Sequence, residues 1–254
     1  MENFKLIKAL KTKKGRDEQN RFIIEGEKAV AEIPADWHIH LYVFAEGFRP
    51  SAQPKSGYSR AKSITVSDSR FASLSDTVTP QGVLAVCKKK SFGLEDVQNS
   101  DFLLIGEGLA DPGNIGALIR TAAAAGAQGI ILSKGTGDLY NPKVLRAAAG
   151  AALRIPVVEG VDLAEAISYL KREGVFIAAA HLQGTKLPYD LDLHRRCAIL
   201  VGNEAHGLSQ ETSAYADALV RLPMGNSVES LNASVAGGIL LYEVVRQRRL
   251  LGQP

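Results

Sequence analysis

Long apolar runs without polar interruption characterise the chain beyond residue 100. The segments "FLLIG", "GIILS", "VFIAAA" and "AILVG" show no alternation of apolar and polar residues, which is typical of strands buried on both faces of a parallel sheet. Helical patterns such as "IGALIRTAAAAG" and "LAEAISYLKREG" lie between them. This alternation predicts an α/β fold in which helices cover both faces of a parallel sheet.

The earlier part of the chain has a different pattern. Its apolar segments, "RFIIEG", "IHLYVFA" and "GVLAVC", are short, and helical stretches and the Pro/Ser/Gly-rich passage "RPSAQPKSGYSR" separate them. We expect a small α/β unit here, with a boundary in residues 91–100. The predicted domains are therefore residues 1–95 and 100–254.

The last predicted helix, "SLNASVAGGILLYEVVRQRRLL", is apolar nearly all round until Arg246. Such a helix is buried in its own domain or against another subunit. Gly237 and Gly238 each cost about 1 kcal/mol relative to Ala inside a helix, and close helix packing is one reason to tolerate them. A core helix and a homodimer interface both remain open.

Composition narrows the class of protein. With 46% hydrophobic and 22% charged residues, the chain of 254 residues is expected to be globular rather than disordered. The start does not resemble a secretory signal and no run has transmembrane length, so we expect a cytoplasmic protein with no membrane partner. Cys87 and Cys197 lack CxxC spacing, which argues against a disulfide framework or a thiolate metal site.

Positive charge is concentrated rather than abundant, since the net charge is only +3. One cluster runs from Lys5 to Arg16 without an acidic residue, and Lys88–Lys90 form a second. A solvated surface and a surface that contacts nucleic-acid phosphates explain such clusters equally well.

Polar residues follow three of the apolar segments, where ligands of open α/β sheets collect. "LADPGNIGALIR" places Asn114 near the start of a helix and Arg120 almost two turns along it, while "GNEAHGLS" contains Asn203, Glu204 and His206. The third loop is "MGNSVESLNAS". "LIGEGLADPG" lacks the glycines of the dinucleotide fingerprint and no Walker sequence occurs, so neither a classical Rossmann NAD enzyme nor a P-loop protein is indicated.

Together the three loops resemble the SpoU family of RNA ribose 2'-O-methyltransferases, within the knotted SPOUT superfamily. The matching motifs are "NIGALIRTAAAAG", "LVGNEAHGLS" and "RLPMGNSVESLNASVA", in the family's order, with Leu222 where the family often has Ile. "KTKKGRDEQNRFIIEGEKAV" is similar to the ribosomal-protein-like substrate-binding domain of many rRNA-modifying members.

The resemblance implies a carboxyl-terminal domain with a deep trefoil knot, a homodimer, and S-adenosylmethionine bound without a metal. It implies cofactor contacts, largely through backbone groups, at Gly202, Leu222, Met224 and Leu231. The lack of a side chain at Gly202 suits a close approach of backbone to ligand. The implied catalytic surface consists of Asn114, Arg120, Glu204, Ser230 and Asn232.

Two of these roles have alternatives. Glu204 could instead cap the following helix, as Asn203 could merely satisfy backbone groups in its turn. The family proposal makes the arginine that matches Arg120 a general base, yet a guanidinium is normally not deprotonated in proteins, and a phosphate anchor is the other possibility.

The expected substrate is structured RNA at a loop nucleotide, with 23S rRNA ranked first. Lys11, Lys13, Lys14 and Arg16 are the predicted RNA contacts, which would make binding weaken steeply with added salt. The alternatives are a tRNA or base methyltransferase of the same superfamily and a non-catalytic RNA-binding protein.

Overall fold

The computed structural model describes residues 2–50, 58, 61–225 and 229–252. Within them, two separate sheets follow one another along the chain. The strands are β1 (Arg21–Glu25), β2 (Ile39–Ala45), β3 (Lys62–Val66), β4 (Val83–Lys88), β5 (Phe102–Gly106), β6 (Gly129–Ser133), β7 (Val157–Val161), β8 (Phe176–Ala180), β9 (Cys197–Val201) and β10 (Ala218–Val220). The helices are α1 (Glu2–Ala9), α2 (Lys13–Gln19), α3 (Glu27–Ala31), α4 (Asp68–Leu74), α5 (Pro112–Ala124), α6 (Pro142–Ala148), α7 (Leu163–Arg172), α8 (Gln210–Tyr215) and α9 (Ala233–Leu250).

The first sheet has the strand order β1-β4-β2-β3. Strand β4 is antiparallel to both β1 and β2, and β3 is parallel to β2. One face packs against α1 and α4 around Ile7, Phe71 and Leu74, which are fully buried. The opposite face, with Phe22 and Tyr42, joins the same hydrophobic core as the second sheet.

The second sheet has the order β10-β8-β9-β5-β6-β7, and every neighbouring pair is parallel. All residues of β5, β6 and β9 are buried, as their uninterrupted apolar sequences predict. The predicted α/β architecture with a parallel sheet is confirmed. None of the helices in the described part of the chain combines the length and apolar character that a membrane span requires.

Helix α9 packs on α5 with one side and exposes an apolar strip with the other. A Cβ atom on Gly237 would lie 2.5 Å from Leu118 Cδ2, so this glycine permits the close packing expected from the sequence. A Cβ on Gly238 would make only an ordinary contact, 3.5 Å from Thr121 Cγ2. On the outer side, Val235, Ile239 and Tyr242 are 49%, 44% and 52% exposed.

Polar contacts join the two sheets around Arg16. Its guanidinium is buried and forms an ion pair with Asp138, with Nε 2.8 Å from Oδ2. The Trp37 indole donates to the Leu153 carbonyl at 2.8 Å, and the Tyr140 hydroxyl donates to the Lys90 carbonyl at 3.0 Å. The prediction that Arg16 contacts RNA is therefore wrong, because a buried charge already paired inside the protein is not available to an external phosphate.

Candidate active site

A cavity of about 420 Å³ lies at the carboxyl ends of β8, β9 and β10. This edge of a parallel sheet is where ligands are expected, and the volume suits a small molecule. The residues predicted to bind the cofactor all line the cavity: Gly202, Leu222, Met224 and Leu231. Their convergence was expected from the motifs, whereas the loop at residues 181–183, which completes the wall, was not singled out in the sequence.

The loop after β9 folds back on itself as a tight turn. Backbone hydrogen bonds run from Asn203 N to Gly207 O at 3.0 Å and from Gly207 N to Asn203 O at 2.9 Å. A Cβ on Gly202 would lie 2.3 Å from the Gly207 carbonyl carbon. The absence of a side chain at Gly202 is therefore required by this turn itself, a reason different from the ligand approach that the sequence suggested.

Asn203 organises the turn through its side chain. Oδ1 accepts hydrogen bonds from the backbone N–H groups of Ala205 and His206 at 2.8 and 3.1 Å. Nδ2 donates to the Gly108 carbonyl at 2.7 Å, which ties the turn to the loop after β5. Asn203 thus performs the structural role that was its alternative in the sequence.

The Glu204 carboxylate accepts three hydrogen bonds from the segment that leads into α5. The donors are the backbone N–H groups of Ala110 and Asp111, at 3.1 and 3.2 Å, and Asn114 Nδ2 at 3.0 Å. Burial alone raises the pKa of Glu204, but the hydrogen bonds from Asn114 and the backbone outweigh burial and leave the pKa lowered. Glu204 is therefore held as an anion at the start of α5.

Glu204 does not cap the helix that follows it. That cap is Ser209, whose Oγ accepts from Thr212 N at 3.1 Å at the start of α8. The third motif joins the network at Asn232, which donates from Nδ2 to Asn114 Oδ1 at 2.9 Å. Because a carboxylate only accepts hydrogen bonds, Glu204 fixes the orientation of the Asn114 amide. Asn114, Glu204 and Asn232, one residue from each of the three motifs, are thereby joined by a continuous series of hydrogen bonds.

Two predicted catalytic residues lie outside this chain of hydrogen bonds. Ser230 is exposed and lines the cavity beside Leu231. Arg120 is exposed on α5, does not line the cavity, and has no hydrogen bond or ion pair with any residue that the structure describes. The part of the third motif at residues 226–228 lies outside the described residues.

One acidic residue of this region was missed in the sequence. The carboxylate of Glu107 accepts from Ser209 N at 2.8 Å, from Ser209 Oγ at 2.7 Å and from Thr212 Oγ1 at 2.7 Å. It fixes the end of the loop that carries Glu204. Its position directly after β5, between two glycines, was the available signal.

The predicted RNA-binding lysines differ in availability. Lys11 is half-buried, donates to the Ser75 carbonyl at 2.8 Å and lies 3.5 Å from Asp76. Lys13 and Lys14 are exposed and form ion pairs within α2, with Asp17 at 2.9 Å and Glu18 at 3.8 Å.

Across the described residues, no group of three or more His, Cys, Asp or Glu side chains has the arrangement of a metal site.

Comparisons with known proteins agree with this arrangement. Residues 101–242 match the family model described as the SpoU rRNA Methylase family, and residues 2–85 match the MRM3-like substrate binding domain. The 23S rRNA (guanosine(2553)-2'-O)-methyltransferase RlmP of Bacillus subtilis is 33% identical over 238 residues, which is 93% of each chain.

Two solved structures share the whole architecture. The SpoU methyltransferase AviRb from Streptomyces viridochromogenes, in complex with the cofactor AdoMet, has a TM-score of 0.88 and 26% identity over 97% of this chain and 98% of its own. The AdoMet-bound rRNA methyltransferase from Sinorhizobium meliloti has a TM-score of 0.85 and 30% identity over 98% of this chain and 94% of its own.

Proposed function

Because the chain belongs to the SpoU rRNA methylase family, we propose that it transfers a methyl group from S-adenosylmethionine to a ribose 2'-hydroxyl of structured RNA. The observation that carries the proposal is the meeting of Glu204, Asn114 and Asn232 beside a cavity lined by all four cofactor candidates. The RlmP relative and the AdoMet-bound neighbours support the reaction and its cofactor.

The cavity suits S-adenosylmethionine, which supplies an electrophilic methyl group when bound. Leu222, Met224 and Leu231 offer apolar surface, and the turn at Gly202 offers backbone groups. A mostly apolar wall with a few fixed polar groups is the usual construction of a small-molecule site. We assign these four residues to the cofactor.

We assign the protein residues to orienting the ribose, with water accepting the proton that the 2'-hydroxyl loses as its oxygen gains the methyl group. Glu204 is engaged by three donors and its lowered pKa makes it a weak base, so we assign it and Asn232 to positioning Asn114. Asn114 and Ser230 are the groups assigned to the ribose. Arg120 is exposed and has no hydrogen bond or ion pair within the part of the chain that the structure describes, and we assign it to an RNA phosphate, since guanidinium groups keep their charge in proteins.

Structured RNA, with 23S rRNA first, is the proposed substrate. The relative named above acts on 23S rRNA, and the amino-terminal match is to a substrate-binding domain. We therefore retain the predicted domains, with residues 1–95 for RNA binding and residues 100–254 for catalysis. An rRNA substrate also favours a cytoplasmic location.

Lys13 and Lys14 remain candidate RNA contacts, and Lys11 is a weaker candidate. Arg16 is no longer proposed as an RNA contact.

We also propose a homodimer formed through α9. Val235, Ile239 and Tyr242 recur at helical spacing and form an exposed apolar strip beside α5, which carries Arg120. A two-fold axis through such a strip would bury it against the same strip of a second subunit.

The carboxyl-terminal trefoil knot stays a prediction.

The test is methyl transfer from labelled S-adenosylmethionine to unmodified 23S rRNA, 16S rRNA and total tRNA, each separately, with nucleoside mass spectrometry of the product. A 2'-O-methyl nucleoside from 23S rRNA is the expected result. Label only in tRNA, or on a base, would replace the proposed substrate or acceptor atom. RNA binding without label would favour a non-catalytic protein.

A further inference from the structure

Four of the nine cations in the two sequence clusters pair with other parts of the protein. In the first cluster Arg16 pairs with Asp138, and Lys11 is bound to the segment at Ser75 and Asp76. In the second, Lys89 pairs with Asp17 at 2.6 Å and Lys90 pairs with Asp36. These four cations therefore stabilise contacts within the protein rather than forming a free basic surface.

Three cations, of which Lys5 also belongs to the first cluster, surround a groove of about 790 Å³ on the first sheet. Lys5 comes from α1, Arg21 from β1 and Lys62 from β3, and His40 from β2 also lines the groove. Glu2 is the one acidic residue among the described residues that line it. The groove therefore gathers positive charges that are far apart in the sequence and that no cluster count would group.

Among the residues that the structure describes, none forms an ion pair with Lys5, Arg21 or Lys62. Lys5 and Lys62 are exposed and form no ion pair or hydrogen bond with any part of the chain that the structure describes. Arg21 Nη1 donates to the Gln19 carbonyl at 3.4 Å, its one hydrogen bond to a described residue. Burial and, after it, the nearby charges of Arg21, His38 and Lys62 lower the pKa of His40.

We infer that this groove binds the phosphate backbone of the RNA substrate, an inference that rests on the proposed function. Strands β1 and β3 are the outer strands of the four-stranded sheet, so three interstrand spacings, about 14 Å in all, separate Arg21 from Lys62. Charges spread over that distance suit a chain of phosphates better than one small anion.

The lining also specifies which part of an RNA is contacted. Asn3, Gln19 and Ser63 supply hydrogen-bonding groups, and none of the described lining residues is Phe, Tyr or Trp. Stacking of splayed bases uses aromatic side chains, whereas phosphate contacts use cations and small polar groups. The groove therefore holds the RNA backbone independently of sequence, and the recognition of the target nucleotide is left to the other sheet.

The test compares two variants of the full-length protein with equal loss of charge. Lys5→Gln/Lys62→Gln alters the groove, and Lys13→Gln/Lys14→Gln alters exposed lysines of α2. The probe is fluorescein-labelled oligouridylate of about 20 nucleotides, and its affinity is measured between about 50 and 200 mM KCl. We expect the groove variant to make the slope of log K against log salt shallower by about 1.5, and the α2 variant to change the slope by less than half that amount.

Each other outcome overturns the inference in a distinguishable way. A larger effect of the α2 variant would move the RNA to α2, and a parental slope in the groove variant would remove the groove from RNA binding. Competition by poly-L-glutamate as effective as that by unlabelled RNA would assign the groove to an acidic polypeptide. Methyl transfer to 23S rRNA by the parent protein is measured in parallel, because its absence would reject the proposed function whatever the groove binds.

Discussion

The carboxylate of Glu204 accepts a hydrogen bond of 3.0 Å from the side-chain amide of Asn114, although 90 residues separate the two in the sequence. The other end of the same amide accepts from Asn232 at 2.9 Å. The Nδ2 and Oδ1 atoms of Asn114 each have a hydrogen-bond partner, and the two partners together fix the orientation of the amide. The arrangement resembles a preorganised site, in which a polar group is held ready before the substrate arrives.

Replacing the carboxylate of Glu204 should disturb this arrangement. In Glu204→Gln, the new amide nitrogen cannot accept from the backbone N–H groups or from Asn114 Nδ2. Because small displacements of positioning groups are costly in catalysis, we expect kcat for methyl transfer to fall about 10- to 100-fold. Glu211→Gln, an equal change at an exposed site on α8, is the control. Equal activities of the two variants would remove Glu204 from the site.

The same carboxylate predicts a pH dependence of stability. The pKa of Glu204 is lowered in the folded protein, so its hydrogen bonds stabilise the fold above the ordinary pKa of 4.5 and this contribution is lost as the pH falls through the lower folded value. The difference in unfolding free energy between parent and Glu204→Gln should therefore be present at about pH 7 and shrink at about pH 3. Urea denaturation at both pH values measures it, and a difference that grows at low pH would contradict the hydrogen-bonding account.

The Arg16–Asp138 ion pair should be far more sensitive than an exposed pair. The two side chains are only 4% and 8% exposed. Removing one partner leaves an uncompensated buried charge, so Arg16→Met and Asp138→Asn should each cost about 3 to 5 kcal/mol of unfolding free energy. Breaking the exposed Lys13–Asp17 pair by Lys13→Met should cost at most about 1 kcal/mol. Chemical denaturation measures these losses. If breaking the buried pair and breaking the exposed pair lower the unfolding free energy by similar amounts, Arg16 is not essential to the contact between the two sheets.

How much could be predicted from the sequence depends on the range of each interaction. The buried strands were predicted because an uninterrupted run such as "CAILV" carries its signal locally. Asn114 and Asn232 were predicted only through family motifs, since nothing in either neighbourhood indicates a contact across 118 residues. Arg16 was misassigned for the same reason, because its partner Asp138 is 122 residues away. Glu107 was missed because its partners, Ser209 and Thr212, lie about 100 residues away at the start of α8.

The two adjacent glycines of α9 should respond differently to the same substitution. In Gly237→Ala the new methyl group would lie 2.5 Å from Leu118 Cδ2 and 3.0 Å from Val201 Cγ2, so overpacking should cost about 1 to 3 kcal/mol. In Gly238→Ala the nearest atom, Thr121 Cγ2, is 3.5 Å away, and the better helix propensity of Ala should add up to about 1 kcal/mol. Thermal and urea unfolding of both variants measures these effects. Destabilisation by Gly238→Ala would indicate that its outer face is covered in solution, for example by a second subunit.

The exposed strip of α9 predicts a dimer that one charge can dissociate. Ile239 lies between Val235 and Tyr242 on the outer side of the helix, and burying three such side chains twice over stabilises an assembly by the hydrophobic effect. Ile239→Lys should therefore be a folded monomer by analytical ultracentrifugation, with unchanged helical circular dichroism. Val78→Lys, at a fully exposed apolar side chain of the amino-terminal unit, is the matched control and should keep the parental mass. If the parent protein is itself a monomer, or if Ile239→Lys stays a dimer, the interface does not lie on this face of α9. Methyl transfer by a monomeric Ile239→Lys would further show that one chain contains the complete active site, whereas its loss would indicate that exposed Arg120 acts across the two-fold axis.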